Sequence, residues 1–165
     1  MYLIDANVLM TAADTHYPED VVPSFWLQIL DLLNSGEAKI PQAVYNELIA
    51  YQQKWLFQWV KNNVISDKHV LTEDLNQILN LAKVTEWVTN QRKPEYRIHH
   101  REKFLAGADP RIIAAAMSER AQIVTYEKAA SDPNSRKVKI PEVAAEFNVT
   151  CISPIEMLRA CNRRL

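Results

Sequence analysis

Glycine is almost missing from this chain: of 165 residues only Gly36 and Gly107 are glycines. A phosphate-cradling loop of the Walker or dinucleotide-binding type needs several glycines close together, so nucleotide chemistry by that route is excluded. Cysteine is nearly as scarce. Cys151 and Cys161 form no Cys-x-x-Cys or Cys/His zinc pattern, and a reducing, cytoplasmic compartment is the simple expectation. No run approaches the ~20 apolar residues of a membrane span. The chain opens on a strand-like run rather than a basic-then-apolar leader, so neither a signal peptide nor a membrane partner is expected. An excess of either charge is also lacking: 20 acidic and 19 basic residues leave a net charge of -1. Binding of nucleic acid through bulk charge is thereby excluded, but binding through a local basic patch is not.

What is present suits one folded domain. Hydrophobic residues make up 48% and charged residues 24%, enough apolar surface for a proper core. Tyr2-Leu3-Ile4 reads as a buried strand ending at Asp5, with a helix entered at Ala6. Val22 to Leu33 reads as an amphipathic helix closed by Ser35-Gly36. Ala38-Lys39-Ile40 is a second strand, and Pro41 starts a helix through Val44, Leu48 and Tyr51. Trp55, Leu56, Trp59 and Val60 recur at helical spacing. So do Leu75, Ile78, Leu79, Ala82 and Trp87, with Thr72 as the cap. Arg92 to Lys103 is basic and aperiodic, a loop or the start of a surface helix. Asp109-Pro110 opens a helix with Ile112, Ile113, Ala116 and Met117 on its apolar face. Ala121 to Thr125 and Val149 to Ile152 are strands. Between them lie a polar loop, Ala129 to Lys139, and a helix from Ile140-Pro141. Ser153-Pro154 starts a last helix. Short strands alternating with helices predict an α/β domain with a parallel sheet.

Four acids stand where these elements begin or end: Asp5, Glu47, Asp109 and Glu127. Ligands of open parallel sheets bind beyond the carboxyl ends of the strands, where Asp5 and Glu127 fall. Asp109 heads a helix that leads into the strand before Glu127. Glu47 lies at the margin of a buried helical stripe. Each has an ordinary alternative. Asp109 before Pro110 can be a helix cap, Glu127 a solvated loop residue and Glu47 a surface helix residue. Asp5 ends an apolar run, and a charge there needs a partner. Gathered carboxylates call for a hard divalent cation, Mg²⁺ or Mn²⁺.

The motifs resemble those of PIN domains, a family of metal-dependent nucleases. Tyr2-Leu3-Ile4-Asp5-Ala6-Asn7-Val8-Leu9 is similar to their opening strand and turn, and Val44-Tyr45-Asn46-Glu47-Leu48 to the helix that supplies a glutamate. Ala108-Asp109-Pro110-Arg111-Ile112-Ile113 resembles their third motif, and Ile123-Val124-Thr125-Tyr126-Glu127 their fourth. The resemblance spans most of the chain in order. It is nearest to a PIN-like branch of prokaryotic proteins that also shows the segments around His16-Tyr17-Pro18 and Val138-Lys139-Ile140-Pro141. It implies a three-layer α/β/α fold with a central, mostly parallel sheet. Residues 1–165 would form one domain, with a helical insertion or cap over about 52–104.

The resemblance further implies hydrolysis of RNA phosphodiester bonds, with Asp5, Glu47, Asp109 and Glu127 as catalytic and metal ligands. Asn7 and Thr125 would orient them. Two ions in such a site stand ~3.5–4 Å apart, which is why several acids are needed. Arg97 and Arg101, within the run that also holds Arg92, Lys93, His99, His100 and Lys103, are candidates for phosphate contacts. Arg111 and Lys128 flank proposed acids and are further candidates, with a structural salt bridge as the rival reading of both. PIN relatives are often toxins held by a small antitoxin protein. Trp55, Phe57 and Trp59 would suit that partner or a homodimer contact. Two departures stand out. Many PIN domains carry aspartate where this chain has Glu127, with Asp132 as a substitute donor, and the segment between Glu47 and Asp109 is long. Three rivals remain: an aspartate-based phosphatase, for which Asn7 replaces the second acid; a receiver-like phosphoacceptor, which would lack a helix-borne glutamate; and a PIN-like domain that binds RNA or protein without cleaving.

Overall fold

The computed structural model describes residues 1–51 and 54–165. Five short strands form one all-parallel sheet in the order β3-β2-β1-β4-β5. They are β1 (Tyr2–Ile4), β2 (Ala38–Pro41), β3 (Val70–Leu71), β4 (Gln122–Val124) and β5 (Cys151–Ile152). Helices flank the sheet, as the expected α/β/α layering requires. Leu3 and Ile4 pair with Ile123 and Val124, and all four are fully buried. Such continuous apolar strands are what a sheet covered on both faces demands.

The strand order places the site. The chain steps from β1 to β2 and β3 on one side, then crosses to β4 and β5 on the other. The order therefore reverses between β1 and β4. At such a switch point the adjoining loops part and leave a crevice at the carboxyl ends of the strands. Asp5 follows β1 and Thr125 follows β4, so both stand at this switch point.

Two helices follow β1. The first, α1 (Ala6–Thr11), runs on as a π-helical turn over Ala12–His16; the second is α2 (Pro23–Ser35). Phe25, Ile29, Leu32 and Leu33 of α2 are completely buried. Each such side chain stabilises the fold by about 1.5–3 kcal/mol. Gly36 closes the helix at φ +77°, where a Cβ would be strained. After β2 comes α3 (Gln42–Ala50), with Val44 and Leu48 buried. Then come α4 (Lys54–Asn63), the single turn α5 (Ser66–His69), α6 (Leu75–Glu86) with a π-helical turn over Trp87–Gln91, and α7 (Ile98–Ala106). Of the expected helical insertion, residues 52 and 53 lie outside the described residues. The rest is mainly helical but also supplies β3, the edge strand beside β2. Helix α8 (Asp109–Glu119) is buried on several sides, at Pro110, Ile112, Ile113, Ala114, Ala115 and Ala116. Small side chains let it touch β2, β4, α3, α6, α7 and the next helix, α9 (Ile140–Glu146). The last helix is α10 (Pro154–Ala160), begun by a Ser153/Glu156 capping box.

Three expectations are corrected. Thr72 is not the cap of α6. Asp74 is, its Oδ1 accepting the Gln77 amide at 2.8 Å, because residues 72–74 are still leaving β3. The stripe Leu75, Ile78, Leu79 on α6 faces solvent, and the helix buries Gln77 and Val84 instead. Arg92 is not a free surface cation. It is buried, and its Nη2 lies 2.7 Å from both Glu142 Oε1 and the Ser135 carbonyl, with the guanidinium over the Tyr96 ring at 4.3 Å. Tryptophan packing agrees with the simple reading: Trp55 and Trp59 set their rings against Trp26 at 4.6 and 5.0 Å. Trp55 stays partly exposed.

Candidate active site

Asp5 is buried at the end of β1, and its amide donates to the Val124 carbonyl at 3.0 Å. Its carboxylate accepts the Thr125 hydroxyl at 2.8 Å. That hydroxyl is the centre of a small network. It accepts from Asn7 Nδ2 and from the Glu127 amide, each at 3.1 Å, while Asn7 Oδ1 accepts the Tyr126 amide at 3.2 Å. Residues 5 to 7 are thus tied to residues 125 to 127 across the switch point. Asn7 and Thr125, expected as orienting residues, make these hydrogen bonds to each other and to Asp5.

Glu47 arrives from α3. Its Oε1 accepts the Ala108 amide at 2.9 Å, immediately before Asp109. A Cβ built on Gly107 would lie 3.6 Å from the same oxygen, so the chain passes close to Glu47 here. Ala108 is the N-cap of α8 and Asp109 the first helical residue, contrary to the simple reading of Asp-Pro. The Asp109 side chain belongs to the cluster instead. Burial, then the negative charges of Asp5, Glu127 and Glu47, push its pKa up to about 7. Asp5 is raised to about 6, by burial first and by Glu127 as well, against the Thr125 hydrogen bond. The Cys151 thiol lies within the same field and is pushed up to about 12, chiefly by burial and then by Asp5 and Glu127. That thiol is protonated and unreactive at neutral pH.

Asp109 therefore feels the charges of the other three predicted acids, and Asp5 feels that of Glu127. Glu127 is the most committed to other partners. Its Oε2 accepts the Ile140 amide at 2.9 Å and its Oε1 lies 3.2 Å from Lys139 Nζ. Among the described residues, no three His, Cys, Asp or Glu side chains are gathered closely enough to hold an ion. Glu47 and Glu127 each spend hydrogen-bonding capacity on backbone, and the four charges repel. The donor chemistry nevertheless fits a hard divalent cation: oxygen ligands only, with two carboxyls driven toward protonation by burial and neighbouring charge. Rotation of these side chains would be needed to close the set.

Other predicted residues lie elsewhere. Arg111 is paired with Glu73 rather than turned to the acids. Arg101 reaches the Thr89 carbonyl at 3.4 Å, and Arg97 is exposed at the start of α7, its amide bonded to the Arg136 carbonyl. Lys128 is exposed beside Glu127 and lines a cavity of about 300 Å³ with Thr125, Pro141, Cys151 and Ser153. Asp132 is held in its own turn, accepting the Asn134 amide at 2.8 Å. Sequence reasoning missed Lys139 as a site residue. It stands 12 positions after Glu127 in a polar loop, and no periodicity reports such a contact.

Residues 2–165 match the family described as Domain of unknown function (DUF4411), and the chain belongs to that family. No curated protein matches the chain.

Proposed function

We propose that this protein is a metal-dependent endoribonuclease of PIN-like type. It would hydrolyse RNA phosphodiester bonds with Mg²⁺ or Mn²⁺, as the toxin of a toxin–antitoxin pair. The observation that carries the reading is geometric: Thr125 ties Asp5 to the Glu127 segment across the switch point, and Glu47 is bonded to the Ala108 amide next to Asp109, whose pKa burial and the charges of Asp5, Glu127 and Glu47 raise to about 7. Converging carboxylates cost the fold stability unless protonation or a bound cation neutralises them, and at neutral pH a cation does so without consuming the charge. RNA as substrate, and an antitoxin as partner, rest on the motif resemblance alone.

Asp5, Glu47 and Asp109 would hold the ion. When bound, it would supply Lewis-acid activation of water and neutralise charge on the phosphate. The Thr125 hydroxyl keeps Asp5 charged and directed, since a hydrogen bond to the charged form favours it. Asn7 fixes Thr125, and the Ala108 amide fixes Glu47. Lys128 and Arg97 are exposed cations available to backbone phosphates.

Purified protein should cleave a mixed RNA panel with Mg²⁺ or Mn²⁺ and stop in EDTA. Asp5→Asn, Glu47→Gln and Asp109→Asn should each abolish cleavage, and persistent cleavage by all three would overturn the assignment. The ties that Glu127 makes to Lys139 and Ile140 favour one second reading, a PIN-like domain that binds RNA or protein without cutting. RNA retention with no cleavage at any divalent ion concentration would select it.

A further inference from the structure

Lys139 is a cation beside two of the four acids, paired with Glu127 and close enough to Asp109 for its charge to be felt there. It precedes α9 in extended conformation, φ −135° and ψ 138°. Its Nζ lies 3.2 Å from Glu127 Oε1. The other oxygen, Oε2, accepts the Ile140 amide at 2.9 Å. Helix α9 has no side-chain cap of its own, and Pro141 brings no N–H, so Glu127 serves as the acceptor for the first turn. Two consecutive residues, 139 and 140, thus hold both oxygens of one carboxylate. The Lys139 side chain keeps 38% of its surface exposed, which leaves its ammonium reachable from solvent.

Resting on the nuclease reading above, we propose that Lys139 takes the place of a second divalent ion: the site binds one ion, through Asp5, Glu47 and Asp109, and Glu127 stays with Lys139. An ammonium and a second dication would compete for the same carboxylate and repel each other. An ammonium has three donors, and one of them serves Glu127. The remaining two can meet a non-bridging phosphate oxygen, the task a second ion would otherwise perform. The longer reach of glutamate, compared with aspartate, suits this bridge from the end of β4 to the start of α9.

The test is a count of Mn²⁺ bound per full-length chain, by calorimetry and by the paramagnetic resonance of free Mn²⁺, with no RNA present. Wild-type protein should bind one ion, Lys139→Met two, and Lys139→Arg one. Lys139→Ala replaces the Met variant if circular dichroism shows that the latter does not fold. Two ions in wild-type protein overturn the proposal without any variant and leave the nuclease reading standing. A single ion in both folded neutral variants also overturns it. No bound ion at all overturns the proposal and the metal-dependent reading together.

Discussion

Glu47 and Ala108 are 61 positions apart, yet the Glu47 carboxylate accepts the Ala108 amide at 2.9 Å. That bond sets a helix-borne glutamate beside the first residue of α8. It has a structural part and a chemical part, and substitution separates them. Glu47→Gln keeps an acceptor oxygen of the same reach, so folding stability should hold while Mn²⁺ affinity falls. Glu47→Ala leaves the half of the bond borne by Ala108 without its partner and should cost about 1–3 kcal/mol as well. Urea unfolding in EDTA, beside Mn²⁺ titration, distinguishes the two.

Thr125→Val removes one hydroxyl from the centre of the network while nearly keeping its shape. Asp5 loses its 2.8 Å hydrogen bond, and Asn7 and the Glu127 amide lose their shared acceptor. The loss should be on the order of 1–3 kcal/mol. The Asp5 pKa should rise further, because the lost bond favoured the carboxylate. Carbon-detected NMR titration of the Asp5 carboxyl measures this, and an unchanged value would show that Thr125 does not orient Asp5.

Asp5 and Asp109 have raised pKa values, about 6 and about 7 against an ordinary 3.8. In the metal-free chain they keep protons when folded that they lose when unfolded. Between about pH 4 and pH 7 the folded state binds more protons, so stability should fall as pH rises through that window and level off above it. Thermal melts in EDTA test the slope. Asp109→Asn should flatten it and stabilise the metal-free protein at pH 7.5 by something on the order of 2 kcal/mol. Saturating Mn²⁺ should raise the wild-type Tm at pH 7.5 and do little at pH 5, where protons compete for the ligands.

Arg92 is expected to act on stability rather than on RNA. It is buried and bonded to Glu142 and to the Ser135 carbonyl. Arg92→Ala should cost about 1–3 kcal/mol, because the Ser135 carbonyl and the partly exposed Glu142 lose a buried donor. Arg97→Ala, at an exposed position, should leave the melt unchanged and weaken RNA retention. Melting both variants and measuring their RNA affinity at several salt concentrations checks the division.

The strands and most helices were legible because their signals are local. Apolar runs such as Leu3-Ile4 and Ile123-Val124, a glycine stop at Gly36 and prolines at helix starts each act within a few residues. Asp5, Asp109 and Glu127 were legible as candidates because they punctuate those elements, whereas Glu47, inside α3, was legible only through the motif resemblance. The tie between residues 5–7 and 125–127 was not, since it depends on a strand order that reverses between β1 and β4. Some local signals also pointed the wrong way. Leu75, Ile78 and Leu79 have the period of a core face but are exposed. Arg92 sits in a basic run yet is the one drawn inside, where Glu142 and backbone carbonyls meet it.

By itself, then, the sequence determined the element types, the parallel sheet and which carboxylates stand at element ends, because periodicity and turn chemistry are properties of neighbouring residues. Tertiary structure alone decided that Glu47 reaches the start of α8, that Arg111 turns to Glu73, and that Lys139 rather than solvent meets Glu127. These are one hydrogen bond to backbone and two ion pairs between residues distant in the chain. They follow from where packing brings the elements together, and no spacing along the chain encodes that distance.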